Sequence, residues 1–142
     1  MTKERGPMKL IVVIICDDVR REDNGKEIII GVYTSEIIVS SLPANLNLVF
    51  WVMLEPNGMD TLAFDLRLIG AQDQSLAAGS ATAALPDPYK LSSFHIRLPI
   101  QVQTAGKIRL QWRQTGSKDW ETIREIGVGI GATLLTERVK KS

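Results

Sequence analysis

The sequence predicts an all-β fold, an antiparallel β-sandwich of about eight strands, with a small β-barrel as the alternative. Three observations predict this fold. Runs rich in β-branched and other apolar residues alternate with short turn signals along most of the chain. A helical period of apolar residues is almost nowhere sustained. Several connections have the length of hairpin turns, whereas one is Pro-rich, as connections between two stacked sheets often are. No alternation of strands with helices predicts a doubly wound parallel sheet.

The composition indicates one globular domain. The chain has 142 residues, of which 44% are hydrophobic and 23% charged, values typical of a domain that buries a single core. We expect one domain over residues 1–142, with a disordered leader at 1–7 and a frayed tail at 132–142. The net charge of +1 provides no overall field that would attract nucleic acid or anionic lipid. No apolar run approaches the ~18 residues of a membrane-spanning helix, so no membrane partner is expected.

The use of cysteine predicts a cytoplasmic protein. Cys16 is the only cysteine, so no intramolecular disulfide forms and a reducing compartment is expected. The basic start, the apolar run and Cys16 together resemble a lipoprotein signal. However, residues 10–15 are shorter than a signal core of roughly 7 to 15 residues, and Ile15 is not the small residue that cleavage requires. Secretion is therefore not expected.

The first two strands are predicted to form a hairpin. The runs LIVVIIC and EIIIGVY are dense in branched side chains, which favour strands over helices. A three-residue loop at 23–25 is predicted between them, with its glycine at positive φ. This register sets Glu22 opposite Lys26 and Arg21 opposite Glu27. A two-residue loop would instead oppose Glu22 and Glu27, which is an unfavourable like-charge pair.

The middle of the chain predicts a buried central strand. Residues 40–47 form a predicted loop, and LVFWVML at 48–54 is apolar on both faces, as a strand covered from both sides is. Trp51 is expected to anchor the core. Asn57 and Gly58 then predict a second hairpin, which leads into a strand at 62–68 whose apolar residues alternate with polar ones.

The remaining elements follow from turn residues and alternation. Residues 74–85 combine alanines, which favour helix, with glycine, serine and threonine, which weaken it, and a strand is favoured. The Pro-rich residues 86–89 predict a crossover between sheets. Strong alternation predicts a strand at 94–102, which turns at Ala105 and Gly106 into a further strand at 108–112. A last hairpin leads into 120–130.

The charged stretch ICDDVRREDNGKE at residues 15–27 is the first candidate site. Asp17 and Asp18 are neighbours on a strand, so their side chains point to opposite faces and cannot share a metal ion or a proton. The acid spacing does not fit a calcium loop. Cys16 would act as a nucleophile only beside a base, and His95, the sole histidine, is distant in sequence. A buried cysteine with charges paired across a hairpin end is favoured.

The same stretch carries a family resemblance. CDDVR at 16–20, Gly-Lys at 25–26, IGVY at 30–33 and Pro43 after a β-branched strand resemble the opening of a family of uncharacterised bacterial proteins of similar length. In that family this opening looks like the N-terminal hairpin of an all-β domain. The resemblance covers residues 15–43. It implies the fold but no reaction, cofactor or ligand.

A glycine-rich segment near the C-terminus superficially fits a dinucleotide-binding fingerprint. GVGIGA at 127–132 has the glycine spacing, but a fingerprint requires a βαβ unit and an acidic residue roughly 20 positions later. Only ten residues follow Ala132, so no nucleotide cofactor is expected, and no other cofactor or metal is predicted. Gly127, Gly129 and Gly131 instead predict a closing strand that another backbone or subunit approaches closely.

Alternation places a set of basic side chains opposite the apolar residues of the late strands. These residues, predicted to form one basic face for an anion or a partner, are His95, Arg97, Lys107, Arg109 and Arg113. Such a face would suit phosphate, a nucleic-acid backbone or an acidic protein. The competing interpretation is an ordinary solvated face that acids such as Glu121 and Glu125 neutralise.

Three functions remain open from the sequence. The favoured one is a non-catalytic binding or structural module that acts through self-association or a protein partner, because the strands have edges to protect and no catalytic constellation is evident. The second is anion or nucleic-acid binding through the basic face. An enzyme with a site near Asp17, Asp18 and His95 is the least favoured.

Overall fold

A computed structural model describes residues 8–131, which form nine strands in two sheets. The strands are β1 (Lys9–Arg21), β2 (Glu27–Tyr33), β3 (Glu36–Val39), β4 (Ala44–Glu55), β5 (Thr61–Ile69), β6 (Ser75–Ala84), β7 (Ser92–Val102), β8 (Gly106–Gln114) and β9 (Glu121–Ile130). One sheet has the order β2-β1-β4-β7 and the other β3-β9-β8-β5-β6. The predicted all-β sandwich is confirmed. The expected leader at 1–7 and tail at 132–142 lie outside the described residues.

All strand pairs are antiparallel except one. The short strand β3 runs parallel to β9, and the prediction of an antiparallel sandwich with about eight strands did not include this pairing. Within residues 8–131, no helix is long and apolar enough to cross a membrane.

The main core lies between the two sheets. Alternate residues of the strands point inward, and aromatic side chains occupy its centre. The rings of Phe64 and Phe94 stack with their centroids 5.1 Å apart. Trp112 tilts against Phe64 from the neighbouring strand, at 6.3 Å between centroids. These contacts join β5 and β8 of one sheet to β7 of the other.

The N-terminal hairpin has the predicted register. Arg21 pairs with Glu27 across the two strands, and the backbone N–H of Glu22 donates to the carbonyl of Lys26 at 2.8 Å. Gly25 has a φ of 87°, the left-handed conformation expected of the loop glycine. The predicted register is therefore confirmed, although the Glu27 carboxylate bonds Trp51 and Ser93 and not Arg21.

Other connections differ from the prediction. Asn57 and Gly58 do form a turn, with φ values of 52° and 95°, but the strands that they join, β4 and β5, belong to different sheets. The predicted second hairpin is therefore wrong. The chain likewise crosses between sheets at Ala105 and Gly106, from β7 to β8. Turn residues specify a change of direction, whereas strand partners are specified by side-chain packing far along the chain.

Three further predictions are confirmed and one boundary is wrong. Residues 74–85 contain strand β6, the Pro-rich connection after it crosses between the sheets, and β8 forms a hairpin with β9. The loop predicted at 40–47 ends earlier, because β4 begins at Ala44. Residues 45 and 47 are polar, so the sequence predicted a loop there. In the structure both side chains are exposed on the solvated side of the sheet, where a strand carries polar residues.

The central strand β4 is buried on both faces, as predicted. Leu48 and Phe50 point into the main core. Val49 and Trp51 point to the other side of the four-stranded sheet, where they pack in a second apolar cluster with Cys16 and Val19. This set of four buried side chains is called the second cluster below. Trp51 thus anchors the second cluster and not the space between the sheets.

The second cluster is covered because the face of the N-terminal hairpin that packs against the protein changes along the hairpin. Ile15 and Tyr33, which are paired, pack against the main core. Val19 and Ile29, also paired, pack in or against the second cluster. An even spacing along a regular strand keeps side chains on one face, so the hairpin changes face between these pairs. Gly31, with a φ of 68°, lies in the intervening stretch. The four-stranded sheet consequently curls into a half-barrel.

Candidate functional site

Polar side chains from both edges of the curled sheet meet above the second cluster. Glu27 of β2 accepts hydrogen bonds through Oε1 from Trp51 Nε1, at 3.3 Å, and from Ser93 Oγ. His95 Nδ1 lies 4.0 Å from Glu27 Oε2, and the Glu27 side chain is only 13% exposed. Strands β2 and β7 are therefore joined although β1 and β4 lie between them.

Asp18 forms a separate ion pair beside this group. Its Oδ1 accepts from Arg97 Nη2 at 2.6 Å and from the backbone N–H of Val19 at 2.9 Å. Its Oδ2 accepts from Arg20 Nε at 3.2 Å. The hydrogen bond from Arg97, followed by that from Arg20, lowers the pKa of the Asp18 carboxyl. The geometry describes an ionised carboxylate that fixes the hairpin to β7.

Asp17 has a different partner. The Tyr33 hydroxyl donates to Asp17 Oδ1 at 2.5 Å. Burial of the phenol and then this bond to a carboxylate raise the pKa of Tyr33 to about 12. Asp17 and Asp18 thus contact separate groups. No cluster of three or more metal-ligating side chains is found among residues 8–131.

The catalytic hypothesis gains no nucleophile from this arrangement. Cys16 is fully buried, its thiol donates to the carbonyl of Val49 at 3.6 Å, and burial is the main cause that raises its pKa. Ser93 lies two residues from His95, but its hydroxyl donates to Glu27 and so is not activated by the imidazole. The charged groups of the opening stretch serve as ion-pair and hydrogen-bond partners.

The predicted basic face is divided between the two sheets. His95 and Arg97 lie on β7 of the four-stranded sheet, whereas Lys107, Arg109 and Arg113 lie on β8 of the five-stranded sheet. Their expected proximity depended on direct pairing of β7 with β8. Because the chain crosses between sheets there, the outward side chains of the two strands lie on the outer surfaces of different layers.

Each of these five basic groups also lies beside a carboxylate. The pairs are His95 with Glu27, Arg97 with Asp18, Lys107 with Glu125, Arg109 with Asp73 and Arg113 with Asp65. Ion pairing of this kind leaves little net positive potential for a polyanion. Glu125 therefore has the neutralising position that the sequence suggested, 4.0 Å from Lys107. Glu121 instead accepts from Trp112 Nε1 at 3.4 Å.

The outer face of the five-stranded sheet holds an arginine–tryptophan contact that the sequence did not reveal. The guanidinium carbons of Arg67 and Arg113 lie 4.2 and 4.3 Å from the ring centroid of Trp120, a distance typical of cation–π contacts. Asp65 also accepts from Arg113 and from Ser80, and these two bonds lower the pKa of its carboxyl, Ser80 most. The alternation of polar and apolar residues could place Arg67 and Arg113 on polar faces. It could not predict that both contact the ring of Trp120.

The outer edge of β2 is the second feature missed from the sequence. β2 is an edge strand, and its alternate residues Ile28, Ile30 and Val32 remain 43%, 40% and 51% exposed. The one charged residue of the strand, Glu27, directs its carboxylate to Trp51 and Ser93. The sequence predicted the strand, but whether a strand lies at an edge depends on the order of all the strands. Val32 lies beyond Gly31, where the hairpin changes face, and therefore points to the other side of the sheet from Ile28 and Ile30. This exposed, uncharged edge strand is called the β2 edge below.

The glycines of β9 face another strand of the same chain. β3 pairs with β9 from Gly127 onward, and the Ser35 carbonyl oxygen lies 3.7 Å from where a Cβ of Gly127 would stand. A Cβ on Gly131 would overlap the side chain of Ile38, whereas one on Gly129 would meet nothing within 4 Å. The close neighbour at Gly131 is thus a side chain, the backbone beside Gly127 is at ordinary contact distance, and Gly129 has open space.

Comparison with protein families identifies the group to which the chain belongs. Residues 11–116 match the model of a family of unknown function (DUF6941). The match covers most of the chain, so the chain belongs to this family. Of the nine strands, the matched range includes β2 to β8 in full and β1 from Ile11, but not β9. Comparison with curated proteins finds no match.

Proposed function

We propose that this chain, a single-domain member of a family without an assigned function, is a non-catalytic binding module that associates with a second copy of itself through the β2 edge. The observation that carries the proposal is the exposure of Ile28, Ile30 and Val32 on an edge strand. Natural edge strands usually carry a lysine, a proline or another device against pairing. β2 contains neither residue.

Two physical contributions favour pairing at this edge. The outward N–H and C=O groups of an edge strand form hydrogen bonds with any strand aligned beside them. Burial of each branched side chain in full contributes about 1.5–3 kcal/mol, from which the cost of association is subtracted. The carboxylate of Glu27 is directed away from the β2 edge while isoleucines are exposed there. Binding of a partner strand is therefore favourable at this edge.

The side chains of β2 suit a second copy in particular. Antiparallel pairing centred on Ile30 of Glu27–Tyr33 sets the side chain of Ile30 opposite that of its own copy. Glu27 then opposes Tyr33, so no like charges meet. The two-fold arrangement places one surface against itself, as closed dimers require, and would extend the four-stranded sheet across the interface.

Sedimentation equilibrium and light scattering of purified protein test this proposal. We expect a dimer for the unmodified chain and a monomer for Ile30→Lys. Ala78→Lys is the matched control, because it places the same charge on β6, the edge strand of the other sheet, and should leave the dimer intact. If the unmodified chain is monomeric up to high micromolar concentration, the proposal that the partner is a second copy is overturned. If Ile30→Lys also retains the same proteins from a lysate as the unmodified chain, the binding role of the β2 edge fails as well.

The proposal also includes the location of the protein. We propose a cytoplasmic location in a bacterium, which the single cysteine and the resemblance of the CDDVR motif to bacterial sequences support. The proposal requires no cofactor. The carboxylates that lie beside His95, Arg97 and the three basic residues of β8 favour the protein partner over nucleic acid or another polyanion.

A further inference from the structure

The sandwich has an opening on the side away from β6 and β7. β2 pairs with β1 only from Ile15 onward, and β3 pairs with β9 only from Gly127 onward. The preceding residues of β1 and β9 therefore face each other across a gap. A cleft of about 320 Å³ lies there, and its lining residues are Leu10, Ile11, Val13, Glu121, Thr122, Ile123 and Arg124. It is called the Arg124 cleft below.

Arg124 is the unusual residue of this cleft. It pairs across the sheet with Leu110, a buried residue of the main core, so its side chain leaves the strand on the core side. Its Nη2 donates to the carbonyl of Thr34 at 2.6 Å. Its Nε is buried and has no hydrogen-bond partner among residues 8–131. No carboxylate of residues 8–131 lies within 4.0 Å of this guanidinium.

A buried guanidinium N–H without a partner is unfavourable, and such groups in native proteins are normally satisfied by another group. Arg97, Arg109 and Arg113, in contrast, each lie beside a carboxylate. Arg124 differs from them in charge balance as well as in hydrogen bonding. It therefore lines the cleft as a cation that no acid of residues 8–131 pairs with.

We infer that the Arg124 cleft binds a carboxylate carried on a short apolar chain. The planar guanidinium matches the two oxygens of a carboxylate, and Arg124 lines the cleft with an exposed Nη2 whose one hydrogen-bond partner in residues 8–131 is the carbonyl of Thr34. Leu10, Val13 and Ile123 provide the apolar contact for the attached chain. The volume is at the lower end for small-ligand sites.

Glu121 restricts the charge of the ligand. Its carboxylate lines the same cleft and accepts from Trp112 Nε1. The repulsion from Glu121 grows with the charge of the ligand, so a monoanion that pairs with Arg124 is favoured over a phosphate dianion. This inference is independent of the β2 edge, because none of the cleft residues belongs to that strand.

Solution NMR tests the inference directly on the unmodified protein. The probes are hexanoate and N-acetyl-valyl-valine with a free carboxylate, and the signals are the arginine Nε–Hε resonances together with the Leu10 and Val13 methyls. We expect a saturable shift of the Arg124 Nε–Hε signal and of both methyls. Shifts with hexanoate alone indicate a fatty-acid type of ligand, and shifts with the dipeptide alone indicate a peptide C-terminus. Either supports a carboxylate site.

Controls separate carboxylate recognition from apolar binding. Hexan-1-ol and inorganic phosphate should not reproduce the shifts. Arg124→Gln should weaken binding at least about tenfold, as loss of a charge-assisted bond does, whereas Arg20→Gln, which removes an exposed ion-paired guanidinium, should not change it. The inference is overturned if neither carboxylate shifts Arg124 Nε–Hε in the unmodified protein, or if hexan-1-ol shifts the same signals equally. The measurement on the unmodified chain does not depend on the folding of either variant.

Discussion

Glu27 of β2 accepts a hydrogen bond from Ser93 of β7 although two strands of the same sheet lie between them. A flat sheet would hold strands three positions apart at roughly 14 Å. The bond therefore requires the sheet to curl, and the second cluster is buried beneath it. The same contact withdraws the only charge of β2 from its outer edge. The position of Glu27 thus accounts both for the curvature of the sheet and for the absence of a charge at the outer edge of β2.

Glu27→Ala should destabilise the fold by about 2 kcal/mol, because it leaves the buried donors of Trp51 and Ser93 without an acceptor. Urea unfolding monitored by circular dichroism measures the change. Glu22→Ala is the control, since that side chain is exposed in the hairpin loop, and we expect a change within about 0.5 kcal/mol. Equal stabilities for the two variants would show that Glu27 does not hold the curled sheet.

Gly31→Ala should cost about 1–3 kcal/mol, because a side chain there would hold a left-handed conformation and overlap Asp17. Gly79→Ala on β6 is the matched change, with no atom within 4 Å of the new Cβ. It should be neutral or stabilise by up to about 1 kcal/mol. Thermal unfolding of both variants distinguishes them. A Gly31→Ala protein as stable as the unmodified chain would contradict the change of face in the hairpin.

Tyr33 should titrate at about pH 12 in the folded protein. In a Tyr89→Phe background it is the only tyrosine, so absorbance of the phenolate measures it directly. The unfolded phenol has a pKa of about 10. The folded state therefore holds its proton more tightly, and the stability contributed by neutral Tyr33 is complete below pH 10 and lost as pH rises towards 12. A midpoint near 10 in the folded state would rule out the contact with Asp17.

The Cys16 thiol should resist modification in the native state. It is fully buried and its pKa is raised, so reaction with a disulfide reagent at pH 8 requires local opening of the hairpin. We expect the rate to rise by orders of magnitude in denaturing urea. Glu27→Ala should also accelerate it under native conditions, because the curled hairpin is then held less firmly. A rate equal to that of a free thiol would contradict the burial.

Local chemistry determines which parts of this structure were predictable. The register at Arg21 and Glu27 followed from charge pairing across a short loop, and the crossover before β7 followed from the rigidity of proline. In contrast, Asn57 and Gly58 predicted a turn correctly but did not indicate which strand the following strand pairs with. The meeting of Glu27 with Ser93 joins residues 66 positions apart, and no periodicity within a strand encodes it. The exposed β2 edge was missed for the same reason, since edge position is a property of the whole strand order.

The association of two copies through the β2 edge is the central claim, and disulfide trapping tests it most directly. In the proposed register Ile30 faces its own copy, at the Cα separation of about 4.5–5.5 Å that directly opposed residues have and that a disulfide tolerates. Ile28 and Val32 point to different faces of the strand, and two copies of Ile28 lie roughly 13 Å apart along the strands. Cys16 is buried and does not compete.

The account predicts that Ile30→Cys forms a covalent dimer rapidly under mild oxidation. Ile28→Cys and Val32→Cys should each remain monomeric on a denaturing gel, because neither residue faces its own copy. Equal and slow crosslinking of all three variants would contradict the two-fold pairing of β2.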